Sequence, residues 1–236
     1  MKSLYVLLVL FGLLAVAHGD DHVIARVLDR EILLSEKDEL NGVIFGTLLE
    51  QFAKDNNIAP TPADLDAHIK RLNQLQAENH QKDLKARAAV VEELKANNLA
   101  EADRKSLEEK LSMYDLFVKT EKEMRDYDTR YPEESRKSEE AIATSFVQAW
   151  KVNQALHRKY GGRVIFQQAG PEPLDAYRDF LREQEKAGAF TIIDTSYEAG
   201  FWNYFTNDAM HTFYSKDEGD QSMETPWWLM EKPLGE

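Results

Sequence analysis

Few side chains in this sequence are of a kind that does chemistry, and their spacing narrows the choice further. There are six histidines, no cysteine, and 42 Asp and Glu against 29 Lys and Arg in 236 residues, a net charge of −13. Without cysteine there are no disulfides, thiolate metal sites or cysteine nucleophiles, so folding rests on packing. His68, His80, His157 and His211 show no metal-ligand spacing among themselves. The chain also lacks His-Glu-x-x-His, Gly-x-Ser-x-Gly, a phosphate-binding glycine loop and a dinucleotide fingerprint. Carboxylates are plentiful, but abundance does not pick out an acid–base pair. His68 falls on the apolar side of a helix, where a hydrogen-bonded, half-buried histidine is expected rather than a ligand. A mature chain starting Asp20-Asp21-His22 would offer an amine, two amide nitrogens and an imidazole, a set suited to square-planar Cu(II) or Ni(II). A histidine in third place by chance explains the same residues, and no metal or cofactor is expected. What remains is chemistry without covalent steps, the burial of apolar side chains.

The elements that would position such side chains begin with Val23-Ile24-Ala25-Arg26-Val27, a turn at Leu28-Asp29-Arg30, and Glu31-Ile32-Leu33-Leu34, which together read as a β-hairpin. Ser35 then caps a helix, with Asp38 in its first turn. Leu40, Val43, Ile44, Thr47, Leu48, Gln51 and Phe52 recur at helical spacing, while Phe45 and Leu49 widen the apolar face beyond one stripe. Asp55-Asn56-Asn57 stops this helix. Thr61-Pro62-Ala63-Asp64 starts another, with Thr61 as N-cap and Pro62 at its first position, and Leu65, His68, Ile69, Leu72 and Leu75 give it an apolar stripe.

This order of parts, and the segment from Asp55 to Ile69 with its Leu65-Asp66-Ala67-His68-Ile69, resembles the N-terminal module of SurA-type and PrsA-type extracytoplasmic chaperones. The resemblance covers about fifty residues and is moderately specific; strand, helix and capped helix is also a common arrangement. It implies a peptide-binding module that needs no chemistry. Family members commonly add a parvulin prolyl isomerase domain, and no stretch of this chain resembles one.

Further along, a narrow stripe predicts a helix from His80 to Asn97, and a second from about Ala102 to Arg125 carries Leu107, Leu111, Tyr114, Val118 and Met124 inward. Together they form a charged helical hairpin. Tyr131-Pro132 interrupts the pattern, and a helix from Glu133 ends at Tyr160 before Gly161-Gly162, a helix stop rather than a phosphate cradle. A strand over Arg163 to Gln168, a helix opened by Gly170-Pro171-Glu172-Pro173, and a strand over Phe190 to Ile193 follow. The expected fold is mainly α with a small β-sheet: an N-terminal hairpin, a lobe of about five helices, and a C-terminal strand-helix-strand joining the hairpin.

Lys2, the apolar run from Leu4 to Leu14 and small residues at Ala17 and Gly19 predict a signal peptide over 1–19 cleaved after Gly19, hence an exported, periplasmic protein. The run is shorter than the roughly 20 residues that span a bilayer, which speaks against the competing reading of an uncleaved anchor and against stable membrane insertion. The acidic balance argues against nucleic acid as a partner. Residues 20–198 then make the helical module. An aromatic tail, 199–236, includes Phe201, Trp202, Tyr204, Phe205, Phe213, Tyr214, Trp227 and Trp228, with a loop over Lys216 to Asp220. The expected function is binding of unfolded or extended polypeptides in an apolar groove, without catalysis. Candidate groove residues are Phe45, Leu49, Phe52, Phe117, Phe146 and Trp150. Phe201, Trp202, Tyr204 and Phe205 either strap the body or occupy the groove themselves. A prolyl isomerase or another enzyme with an unrecognised site, and a structural subunit of an envelope assembly, stand as alternatives.

Overall fold

The structure, a computed structural model, describes residues 22–167 and 170–230; the segment read as a signal peptide lies outside the described residues. The chain is mainly α-helical with one small antiparallel sheet. Strand β1 (Val23–Val27) pairs with β2 (Arg30–Leu33) on one side and β3 (Phe190–Ile192) on the other, in the order β2-β1-β3. A register shift between Val23 and Ala25 turns both Ile24 and Ala25 inward, which strict alternation would not allow. The tight turn places Leu28 at φ +49°, a left-handed angle that costs a residue with a Cβ about 1 kcal/mol.

Two corrections to the expected strands and caps have local causes. Of the strand expected over 163–168, the described residues 163–167 do not join the sheet. Ile165 makes isolated bridges to Glu172 and Phe213 instead, because the Gly170-Pro171 turn folds Glu172 back onto Ile165. Helix α1 (Leu40–Asp55) begins at Leu40 rather than at Ser35. The Glu36 carboxylate accepts the Leu33 backbone N–H at 3.1 Å and an Arg30 side-chain N–H, which tightens 34–39 into 3-10 turns first.

Helix α2 (Pro62–Leu94) starts as expected, with Thr61 and Asp64 forming a reciprocal capping box behind Pro62. It then runs unbroken for 33 residues, about 50 Å, fusing the two helices expected at Thr61 and His80. No glycine or proline lies between Leu75 and His80, so nothing stops the ladder. Helices α3 (Glu101–Arg130) and α4 (Pro132–Tyr160) follow. The second half of α2 and most of α3 form an antiparallel arm laced by Arg87–Asp115 at 2.6 Å and His80–Glu121. α3 buries no residue fully. Met113, Leu116, Phe117, Met124 and Tyr127 are exposed along it, so Met124 is not inward as expected.

The first half of α2 and all of α4 belong to the body, where the core gathers. Ile24, Val27 and Ile32 of the sheet meet Leu40, Ile44 and Leu48 of α1, Leu156 of α4, and Phe180 and Leu181 of α5 (Leu174–Lys186). Helix α6 (Glu198–Thr206) adds Phe201, Trp202 and Phe205. Each aromatic sealed in this way contributes on the order of 2–3 kcal/mol. Phe201, Trp202 and Phe205 are therefore part of the core, and Tyr204 packs against it. The acidic stretch 216–220, expected as a loop, lies within helix α7 (Lys216–Glu224), which Ser215 and Glu218 cap reciprocally.

An ionic knot fastens the start of α5. Asp175 accepts the Arg163 backbone N–H at 2.8 Å, Arg163 Nε at 2.9 Å and Arg178 Nη1 at 2.9 Å. Burial alone would raise its carboxyl. The Arg163 hydrogen bonds and the Arg178 charge outweigh that and hold it at about 2. Gly162, at φ +94°, passes so close that an added Cβ would lie 2.4 Å from the Asp175 Cβ, so only glycine fits.

Candidate functional site

A cleft of about 510 Å³ opens where α1, α4, the 170–172 turn and the C-terminal Trp227-Trp228 turn converge. Its volume lies in the range of small-molecule or side-chain sites. Helix α1 contributes Phe45 and Leu49 from the flank that widened its apolar face. Helix α4 contributes Phe146, Ala149 and Trp150, and Trp227 and Trp228 close the far wall. Phe146 is 39% exposed at the mouth, so the cleft is open to water.

The walls are braced by aromatic contacts and committed hydrogen bonds. Phe45 stands edge-on to Tyr177 with centroids 4.7 Å apart and to Phe205 at 5.3 Å. Trp150 and Trp228 meet at 5.7 Å, and Trp150 Nε1 donates to the Ser222 carbonyl at 3.0 Å. Gln154 donates to the Met223 carbonyl at 2.8 Å, so α4 holds the end of α7 and thereby sets the Trp turn. At the floor, Tyr177 Oη donates to Asn153 Oδ1 at 2.6 Å while Asn153 Nδ2 donates to the Pro171 carbonyl at 3.2 Å.

Behind the Trp wall sits His68, 1% exposed, stacked 5.7 Å from Phe146 and edge-on to Trp227 and Trp228 at 5.4 and 5.1 Å. Neither ring nitrogen has a hydrogen-bond partner among the described residues, contrary to the half-buried, hydrogen-bonded role expected of it. Burial pushes its pKa below the ordinary value. The neutral ring thus acts as an aromatic plate.

Glu172 is the one acidic group set into the cleft wall rather than on its rim. Burial pushes its carboxyl up, only partly offset by the hydrogen bond that Oε2 accepts from Tyr204 Oη at 2.7 Å and by the nearby His211. Tyr204 is in turn raised by its own burial and by Glu172.

Of the six groove candidates, the structure brings four together: Phe45, Leu49, Phe146 and Trp150. Phe52 instead packs on Phe180 at 5.5 Å, and Phe117 is exposed on the arm. None of Phe201, Trp202, Tyr204 and Phe205 lines the cleft. Sequence reasoning missed Tyr177, Glu172, Trp227 and Trp228 as wall residues. A signal existed for two of these features: Pro171 and Pro173 fix the backbone on either side of Glu172, and Pro226 precedes the Trp pair.

Among the described residues no helix is long and apolar enough to cross a membrane, and no group of three or more His, Asp or Glu is placed to hold a metal. The Asp20-Asp21-His22 reading rests on residues outside the described set. No protein-family model, curated protein or solved structure matches the chain.

Proposed function

We propose that the protein binds extended or unfolded polypeptide segments by taking their apolar side chains into this cleft, as a chaperone-like exported protein without catalysis. The observation that carries the reading is the convergence of Phe45, Leu49, Phe146 and Trp150 on one cavity open to solvent. Each had a simpler role as ordinary core, and together they leave an apolar surface uncovered. The resemblance of 55–69 to the SurA-type and PrsA-type module supports the same reading. Affinity would come from apolar burial, about 25 cal/mol for each Å² removed from water, less the cost of ordering the bound segment.

Ala149 lines the cleft and is exposed, so Ala149→Trp fills the space without touching the core. Fluorescence anisotropy with a labelled Leu- and Phe-containing peptide should show binding by the native protein and a loss of about tenfold or more in the variant. Equal affinity in the two proteins would remove the cleft from the function. A protease-coupled isomerisation assay on a proline peptide separates this reading from the enzyme alternative.

The exposed stripe of Met113, Leu116, Phe117, Met124 and Tyr127 on the arm favours the second alternative, a subunit of an envelope assembly. Recovery of one stoichiometric partner that is lost on Phe117→Glu would support it over peptide capture.

A further inference from the structure

The cleft's polar groups are spent on the scaffold, with one exception in its wall. Tyr177 and Asn153 satisfy each other and the Pro171 carbonyl. Gln148 Nε2 donates to the Ile58 carbonyl at 3.0 Å, and Trp150 Nε1 to Ser222. Thr144 and Ser145 donate back into their own helix, to the carbonyls of Glu140 and Ala141. Glu172 keeps one carboxylate oxygen uncommitted in the wall, because Tyr204 engages Oε2 and Oε1 has no partner among the described residues. The rim adds Glu50, which makes no ion pair among the described residues, and no Lys or Arg lines the cleft.

Phe45, Phe146, Trp150, Tyr177, Trp227 and Trp228 line the same cleft as Glu172. Aromatic faces attract cations, most strongly where water is excluded. A carboxylate in such a setting gains from a charge-assisted donor far more than from a neutral one. We infer that the cleft selects ligands joining an apolar body to a cationic head, the head donating to Glu172 Oε1 and the body lying against the aromatic walls.

On the peptide-capture reading, on which this inference builds, the preferred side chain is Arg or Lys beside apolar neighbours, the long stem burying while the head pairs. The chain's net charge of −13 draws the same class of ligand toward the protein.

Two comparisons test the inference. Quenching of tryptophan fluorescence reads the binding of phenethylamine and of its neutral analogue phenethyl alcohol to the native protein. The amine should bind about tenfold tighter, the size of one charge-assisted hydrogen bond. Anisotropy then compares two labelled peptides that differ only by Arg against norleucine at the centre. The Arg peptide should win by a similar factor, and Glu172→Gln should bring the two to equal affinity, since Gln keeps an acceptor for Tyr204. Equal affinities for amine and alcohol, or a preference for Arg that survives Glu172→Gln, would overturn the inference. Peptides that bind without preference leave capture standing and remove the cation pocket. An amine preference with no peptide binding does the reverse, assigning the cleft to free organic amines.

Discussion

Replacing His68 with leucine should stabilise the fold, and by more in mild acid than at alkaline pH. The native ring is sealed at 1% exposure with Nδ1 and Nε2 both unpartnered. An imidazole carries one N–H and one lone pair, and leaving such groups unpaired in an apolar site costs about 1–3 kcal/mol. Against this, leucine forfeits the stacking on Phe146 and the edge contacts to Trp227 and Trp228, about 0.5–1 kcal/mol. The balance is a gain of about 1 kcal/mol with the histidine neutral. Acid adds a second effect. Burial depresses the His68 pKa in the folded state below the ordinary 6.5, so below that pH the unfolded chain binds a proton that the folded one refuses. Native stability therefore falls as pH drops below 6.5, by up to about 1.4 kcal/mol per unit, until the folded pKa is reached. The leucine variant lacks this slope. Urea unfolding followed by tryptophan fluorescence at about pH 8, 7, 6 and 5 gives the difference directly. A variant less stable by 1 kcal/mol or more at every pH, with a difference that does not change, would refute the reasoning and show that the ring finds partners.

Asp175→Asn should cost roughly 2 kcal/mol, the linkage value of a carboxyl held at about 2 against an ordinary 3.8, with its side chain only 12% exposed. Because this folded pKa is depressed, the contribution is complete above 3.8 and disappears as pH falls toward 2, so native and variant urea midpoints should converge in that window. Leu28→Asn relieves the left-handed turn at φ +49° and should raise stability by about 0.5–1 kcal/mol, read as an upward shift of the thermal midpoint. Asp64 is half-buried, and bonds to Lys151 and Thr61 outweigh the desolvation and hold it at about 2. Thr61→Ala, which breaks the capping box, should cost about 1 kcal/mol by urea unfolding.

Much of the fold could be read because its signals are local. Thr61, Pro62 and Asp64 announce the start of α2 within four residues, and Tyr131-Pro132 and Gly161 bracket α4. The errors arise where distant residues decide. Val164, Ile165 and Phe166 have strand composition, but their backbone partners are Glu172, Thr212 and Tyr214 rather than the hairpin, and no property of three apolar residues announces that. Phe201, Trp202 and Phe205 read as a strap or a groove occupant because α1, part of the surface that receives them, lies near the other end of the chain. The cleft was half legible for the same reason. The excess apolar width of α1 and α4 named Phe45, Leu49, Phe146 and Trp150. The wall from Trp227 and Trp228 depends on α7 returning to α4, and the free oxygen of Glu172 depends on Tyr204 taking the other.

The central claim is that apolar segments of other chains enter the cleft between α1, α4 and the Trp227-Trp228 turn. Photo-crosslinking with a peptide that carries a benzophenone in place of its central aromatic residue, followed by mass spectrometry, tests it most directly. The account predicts adducts concentrated on Phe45, Leu49, Phe146, Ala149 and Trp150, and lost when unlabelled peptide competes. Adducts confined to Met113, Leu116 and Phe117 of the arm, or scattered over the surface and indifferent to competitor, would contradict it.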